Sequence, residues 1–412
     1  MDNLTPHDAS IHRKYYVVVT PFFPTNESFR GPFIYDQVKA IERVGKFKVV
    51  VFRPKALRDK RTDYEYGGVK VHFFKAIGMP SYFFNGFTND YNARQFLKLF
   101  KTKGIDIKDV AVVHCHTSTF CVYGLILKDA NPAIKVLLQH HDRDPFCILN
   151  GKLSSWYPNL LYRAKKNYNL YQRVDLHVCV SKITEDNLLN FPSASSSEDY
   201  PPYIQKLRKL RNMKPLPEVK SVVLYNGVDT SKFYSAGYKK AKVNCNIGCV
   251  ANFQDLKDQI TLIKAVEVLV KERGLSGLKA SFIGSGPELS RCVSYVEEAK
   301  LHDYIVFEKE VDHEKLCVFY NSLDLFVLPS VYEGFGCVFT EAYACGVPFM
   351  ICEGQGATEY IPESDYGKWV FGKHDYNQLA DRIENFIGHR FTQKLKFDYD
   401  IDALIDNFLK KI

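Results

Sequence analysis

The 412-residue chain is 46% hydrophobic and 25% charged, with a formal net charge of +8 at pH 7. That is the balance of a globular protein long enough for two domains, each with its own core. No apolar run approaches the ~20 residues of a membrane-spanning helix, which argues against an integral membrane protein. The acidic, polar opening Met1-Asp2-Asn3-Leu4-Thr5-Pro6-His7-Asp8 lacks the pattern of a secretory signal. Eleven scattered cysteines form no C-x-x-C pair and point to reduced, buried thiols in a cytoplasmic setting. The chain is basic as far as about residue 216 and acidic beyond, so the first half is expected to meet something anionic.

Lys14-Tyr15-Tyr16-Val17-Val18-Val19-Thr20 reads as a buried first strand, closed by Pro21. A Pro- and Asn-rich loop follows. From Pro32 the apolar spacing is helical until Gly45, and Lys48–Phe52 is the second strand. Further strands are read at 69–74, 110–114, 135–139 and 176–180, with helical stretches between most of them. The Ser-rich run Ser193–Ser197 opens a compositional break that extends to Pro217. Beyond it a second alternating block has strands at 247–250, 279–283, 304–307, 323–328 and 349–352. Alternating strands and helices predict parallel sheets covered on both faces. The economical architecture is α/β, two Rossmann-like domains facing a central cleft, with ligands beyond the carboxyl ends of the strands. The expected boundaries are 1–225, 226–390 and a terminal segment 391–412 whose helix returns to the first domain.

The densest chemistry lies at Glu333-Gly334-Phe335-Gly336-Cys337-Val338-Phe339-Thr340-Glu341. A strand-like run precedes it, and the helical pattern that follows stops at Gly346-Val347-Pro348. A strand, a glycine-bearing turn and a helix N-terminus make an anion site, because free N–H groups and the positive end of the helix dipole face the loop. One acid sits in that loop and the other about two turns into the helix, which suits a ligand with a sugar, phosphates and a ribose. Two glutamates at this spacing alone are ordinarily solvated surface. The whole string is more specific. It resembles the E-x7-E motif of the retaining glycosyltransferases of family 4, which have the GT-B fold and include cell-surface polysaccharide enzymes.

Other segments resemble the same family in the same order. Asn226-Gly227-Val228-Asp229 is similar to its hinge turn. Val250–Asp258 resembles the strand-end loop that carries an Arg and a Lys near the donor diphosphate; Lys257 matches, while Asn252 stands where Arg is common. Asn can only hydrogen-bond, so this departure leaves open how many cations meet the phosphates. Gly284-Ser285-Gly286-Pro287-Glu288 looks like the family's Gly-x-Gly-Pro-Glu turn, although a tight strand-to-helix connection accounts for it equally. Phe307-Glu308-Lys309-Glu310-Val311 stands at the family's base-contacting position without the usual Gly. In the first half, Arg30-Gly31-Pro32 resembles the glycine loop whose amides face the diphosphate, and Arg30 could offset the missing arginine. His114-Cys115-His116 resembles a strand end whose His116 lies near the sugar and the acceptor hydroxyl. Gln139-His140-His141-Asp142 is similar to another strand end, with His140 and His141 facing the acceptor.

The resemblance implies transfer of a sugar from a nucleotide-diphosphate donor to a hydroxyl of a glycan or lipid-linked glycan, with retention of configuration. Lys257 and the amides of Phe335, Gly336, Cys337 and Val338 would stabilise the departing phosphate, Glu333 would oppose the positive sugar, and Glu341 would hold the ribose. Neither cofactor nor metal is expected. The aromatic and basic segment Trp156–Lys166 would suit the surface of an anionic membrane, as a peripheral contact on its cytoplasmic face, or would simply pack on the sheet. The alternatives are a catalytically weak nucleotide-sugar binding protein and a nucleotide-sugar epimerase of the same fold. A nucleic-acid binder would explain the basic half, but no recognised motif supports it.

Overall fold

The structure is a computed structural model that describes residues 13–28, 30–78, 88–117, 119–141, 148–149, 152–153, 169–189, 219–237 and 245–412. The Trp156–Lys166 segment and the whole Ser193–Pro217 break lie outside these residues.

Among the described residues the first half has ten strands: β1 (Tyr15–Val19), β2 (Lys48–Lys55), β3 (Tyr64–Tyr66), β4 (Val69–Lys75), β5 (Val110–His116), β6 (Lys135–His140), β7 (Ile148–Leu149), β8 (Lys152–Leu153), β9 (Leu176–Cys179) and β10 (Ser221–Val223). Eight form one sheet in the order β10-β9-β6-β5-β1-β2-β4-β3, while β7 and β8 pair as a separate two-stranded hairpin. Every neighbour in the large sheet is parallel except β3, which runs against β4 at the edge. The central strands read as unbroken Val-rich runs because both faces are covered. Val17, Val19, Val113 and Cys115 belong to one core, and Tyr16, Val18 and Val112 to the other.

The second sheet holds β11 (Cys245–Val250), β12 (Leu278–Ile283), β13 (Ile305–Glu308), β14 (Leu325–Leu328), β15 (Phe349–Cys352) and β16 (Val370–Phe371). Its order is β13-β12-β11-β14-β15-β16, parallel throughout. The strand order reverses between β11 and β14, so a crevice opens beyond their carboxyl ends.

The chain passes between the two sheets twice. After β10 the Asn226–Asp229 turn leads into the second domain. Val228 N–H donates to the Tyr399 carbonyl at 2.8 Å, and the Val228 carbonyl accepts from Ile401 N–H at 3.0 Å. Gly227 fits this crossing because a Cβ there would stand 2.7 Å from Ile401 Cα. The helix Ile401–Leu409 then returns to the first domain, capped by the Asp400 carboxylate. It buries Ile401, Ile405, Phe408 and Leu409 in the core that contains Tyr16 and Val18.

Candidate active site

At the switch point of the second sheet, β11 ends at Val250 and a single 3-10 turn, Asp255–Lys257, aims Lys257 towards the loop after β14. The Lys257 ammonium donates to Glu333 Oε1, and the Ser330 hydroxyl donates to the same oxygen at 2.8 Å. Gly336 forms the N-cap of the helix Cys337–Ala344 at φ +86°, which turns the first amides of the helix into the crevice. Gly284 and Gly286, at φ +149° and +150°, let the turn after β12 lie against the turn after β11; a Cβ on Gly284 would stand 2.1 Å from the Ala251 carbonyl oxygen.

Together these turns enclose a cleft of about 390 Å³, whose walls include Asn252, Lys257, Gly284, Glu333, Cys337 and Val338. Gly336 lines it as well. Phe335 points elsewhere. It is buried against the rings of Tyr225 and Tyr360, at 5.8 and 5.5 Å, so only its backbone is available to a ligand. Gly286 supports the turn without reaching the cleft wall.

Glu341 lies behind the cleft on the second turn of its helix and is buried. Its Oε1 pairs with His313 Nε2 at 3.0 Å, and its Oε2 accepts from the Tyr320 hydroxyl at 2.9 Å. The Cys337 thiol is pushed far up by burial first, then by the negative charges of Glu341, Asp36 and Glu333, so it stays protonated. Asp36 belongs to the first-domain helix Pro32–Val44 and forms an ion pair with Lys232 of the second domain. That helix therefore brings the first domain up to the second-domain site.

Its N-cap is Gly31, at φ +85°, where a Cβ would stand 3.0 Å from Phe22 Cβ. Arg30 beside it is exposed. Phe33, in the first turn, meets the His141 ring at 5.2 Å, and His141 Nε2 lies 2.9 Å from His116 Nδ1. His116 in turn stacks on His114 at 4.6 Å, and His114 Nδ1 bonds the Tyr16 hydroxyl at 2.8 Å. The ends of β5 and β6 and the N-terminus of the first helix thus converge on His116 and His141.

His140 does not join them. Gln139 is the register partner of His116, so His140 projects from the opposite face of the sheet. There it bonds His177 at 2.9 Å, and His177 bonds the Tyr171 carbonyl at 3.0 Å, in a fully buried pair. This placement corrects the expectation that His140 and His141 face one pocket: His140, the last residue of β6, turns to His177, while His141, just past the strand, turns to His116. Burial lowers the pKa of all five imidazoles, to about 3 for His114, about 4 for His141 and His177, and well below 6.5 for His116 and His140. Each is neutral near pH 7 and able to exchange hydrogen bonds without carrying charge.

Sequence reasoning missed His313, Tyr320, Ser330, Asp36 and Lys232. None has a local signal. His313 and Tyr320 are 28 and 21 residues from Glu341, and only the packing of helix Leu316–Asn321 on helix Cys337–Ala344 brings them to it.

Residues 234–396 match the family described as glycosyl transferases group 1, and residues 31–196 match glycosyltransferase family 4. The chain belongs to the family 4 glycosyltransferases of GT-B fold. Among solved structures, sucrose-phosphate synthase from Thermosynechococcus elongatus aligns with a TM-score of 0.69 at 17% identity, over 97% of this chain and 98% of that one. HepE from Anabaena, in complex with UDP and glucose, aligns with a TM-score of 0.63 at 14% identity, over 97% and 99%.

Among curated relatives, a D-inositol 3-phosphate glycosyltransferase of Paenarthrobacter aurescens is 31% identical over 134 residues, which is 32% of this chain and 33% of the relative. A GDP-mannose-dependent alpha-(1-6)-phosphatidylinositol monomannoside mannosyltransferase of Mycolicibacterium smegmatis is 27% identical over 161 residues, 35% of this chain and 42% of the relative. The matched stretch thus spans less than half of either relative.

Proposed function

We propose that this protein is a retaining glycosyltransferase that moves a sugar from a nucleotide-diphosphate donor to a hydroxyl of a glycan or lipid-linked acceptor. The observation that carries the reading is the Lys257–Glu333 pair, set beside the N-terminus of helix Cys337–Ala344 at the switch point of the second sheet. Loss of the donor's diphosphate leaves a positive, oxocarbenium-like sugar and puts negative charge on the phosphate. A cation and free amides suit the phosphate, and a carboxylate suits the sugar.

In this mechanism Lys257 shifts its hold from Glu333 towards the departing phosphate, and Glu333 then opposes the sugar. Glu341 receives the ribose hydroxyls. The acceptor approaches from the first domain beside neutral His116, on the face the phosphate leaves, and a phosphate oxygen takes its proton. That same-face course gives retention without a covalent intermediate on Glu333. The acceptors named for the inositol phosphate and phosphatidylinositol monomannoside relatives support a polyol or lipid-linked hydroxyl, and hence a role in assembling surface glycans or glycolipids at a membrane. Among the described residues no helix is long and apolar enough to cross one, so the proposed contact is peripheral.

A thermal-shift screen against UDP, GDP, ADP and their sugar conjugates tests the donor site, because a ligand of the native state raises stability by mass action. The expected result is a shift with one nucleotide that is lost in Glu341→Ala, with turnover unchanged by EDTA. The anomeric proton of the product, read by NMR, tests retention. No shift with any nucleotide would overturn the donor assignment, and an inverted product the mechanism.

A further inference from the structure

Glu341 is a buried carboxylate whose two oxygens are each held by a different donor. His313 pairs with Oε1 and Tyr320 with Oε2. The two donors come from adjoining turns, the 3-10 turn His313–Lys315 and the helix Leu316–Asn321. A carboxylate offers roughly four lone-pair sites, so two donors leave about two free, enough for a pair of neighbouring hydroxyls. The other side of His313 faces the first domain. It lines a cavity of about 500 Å³ between the domains, with Tyr35, Tyr66, Ser231, Lys232 and Tyr234, and its ring meets Phe233 at 5.0 Å. Asp36 acts on it through space from the helix Pro32–Val44.

We propose that His313 is a positioning residue for the donor, which holds Glu341 ready for the ribose hydroxyls and couples that hold to the approach of Asp36 from the first domain. The proposal rests on the donor-site reading above and gives that site a regulation. The groups that face His313 are Glu341 and Tyr320 from the helices beside it, Asp36 from the first domain, and Lys232 from the turn after the hinge. Burial works against its charge, but the hydrogen bond and charge of Glu341, helped by Asp36, outweigh burial and Lys232 and raise its pKa above 6.5. Protonated His313 gives Glu341 a charge-assisted hydrogen bond from Nε2; as pH rises through the raised pKa the neutral ring can still donate from Nε2 but the charge is gone, so the hold weakens. A charge-assisted hydrogen bond of this kind is worth roughly 10- to 100-fold in affinity when it is made only in the competent site.

The test measures the affinity of UDP and GDP by calorimetry between pH 6 and 9, together with kcat at saturating donor. In the native protein the affinity is expected to fall by about tenfold as pH rises across that range. His313→Ala should weaken binding at pH 6 by a similar factor while leaving kcat within about threefold. His313→Gln, which keeps a neutral donor without a titration, should show the native protein's high-pH affinity at every pH and so flatten the profile. Asp36→Asn removes the Asp36 charge and its ion pair with Lys232, and should move the midpoint of the profile to lower pH. If Glu341→Ala abolishes nucleotide binding while the His313 variants and Asp36→Asn leave affinity and profile unchanged, the proposal fails and the donor site stands. If Glu341→Ala also leaves binding unchanged, or no nucleotide binds the native protein, the donor-site reading fails and the proposal with it.

Discussion

Lys257 is the residue on which the chemistry depends most directly. With Asn252 in place of a second cation, it is the ammonium that lines the cleft and contacts Glu333. Lys257→Ala is expected to lower kcat by roughly 10²–10³, the usual cost of removing one preorganised charge donor, with a smaller change in donor affinity. Steady-state kinetics with a fixed acceptor would measure both. Gly336 carries the geometry of the adjacent loop. Its φ of +86° is strained for any L side chain, and a Cβ would stand 2.9 Å from the Phe339 ring. Gly336→Ala should cost about 1 kcal/mol or more, read from the urea midpoint. The spacing of Glu333 and Glu341 and the position of Lys257 after a buried strand were legible, because each has a local pattern. The partner of each carboxylate was not. Lys257 and Glu333 are 76 residues apart and meet only because β11 and β14 are adjacent in the sheet.

Among the elements, the strands that read clearly are those buried on both faces, such as β1, β5, β6 and β15, whose unbroken apolar runs admit few other interpretations. Short edge strands were missed. Tyr64–Tyr66 has an exposed Glu65 at its centre, and Val370–Phe371 is two residues of strand after a helical turn. Face was the other hidden property. His140 ends β6 and His141 lies just past it, and which of the two meets His116 depends on register across the sheet. The returning helix Ile401–Leu409 fills a place in the first core, and Ile405 on it is fully buried. Ile405→Ala should destabilise the protein by roughly 2–5 kcal/mol, the range for truncating a buried large aliphatic. Denaturation monitored by a first-domain tryptophan-free probe, such as near-ultraviolet tyrosine signal, would register the loss.

At the scale of the molecule, the two domains are joined by polar contacts that are exposed or only partly buried. The Glu359 carboxylate, from the second domain, accepts from Lys182 N–H at 2.9 Å and Ile183 N–H at 3.0 Å, capping the first-domain helix Lys182–Leu189. Asp36 and Lys232 make a second link near the active site. The buried imidazoles of the first domain impose a pH limit on the whole. Their folded pKa values lie below the ordinary 6.5, at about 3 for His114 and about 4 for His141 and His177. Stability from keeping them neutral is therefore fully present above pH 6.5 and is lost as pH falls through 4 towards 3. The melting temperature should drop progressively over that window, and calorimetry at stepped pH would show it; a flat Tm between pH 6.5 and 4 would contradict the burial of these rings.

The returning helix also bears on how the protein is made. Residues 401–409 supply part of the core beneath β1, so the first domain cannot close until these residues, which follow the strands of the second domain, have left the ribosome. The second domain, whose six strands lie between residues 245 and 371, has its own strands complete by then and can fold first. This dependence runs against the usual N-terminal-first course of folding, because the first sheet keeps one core unsealed until residues 401–409 are available.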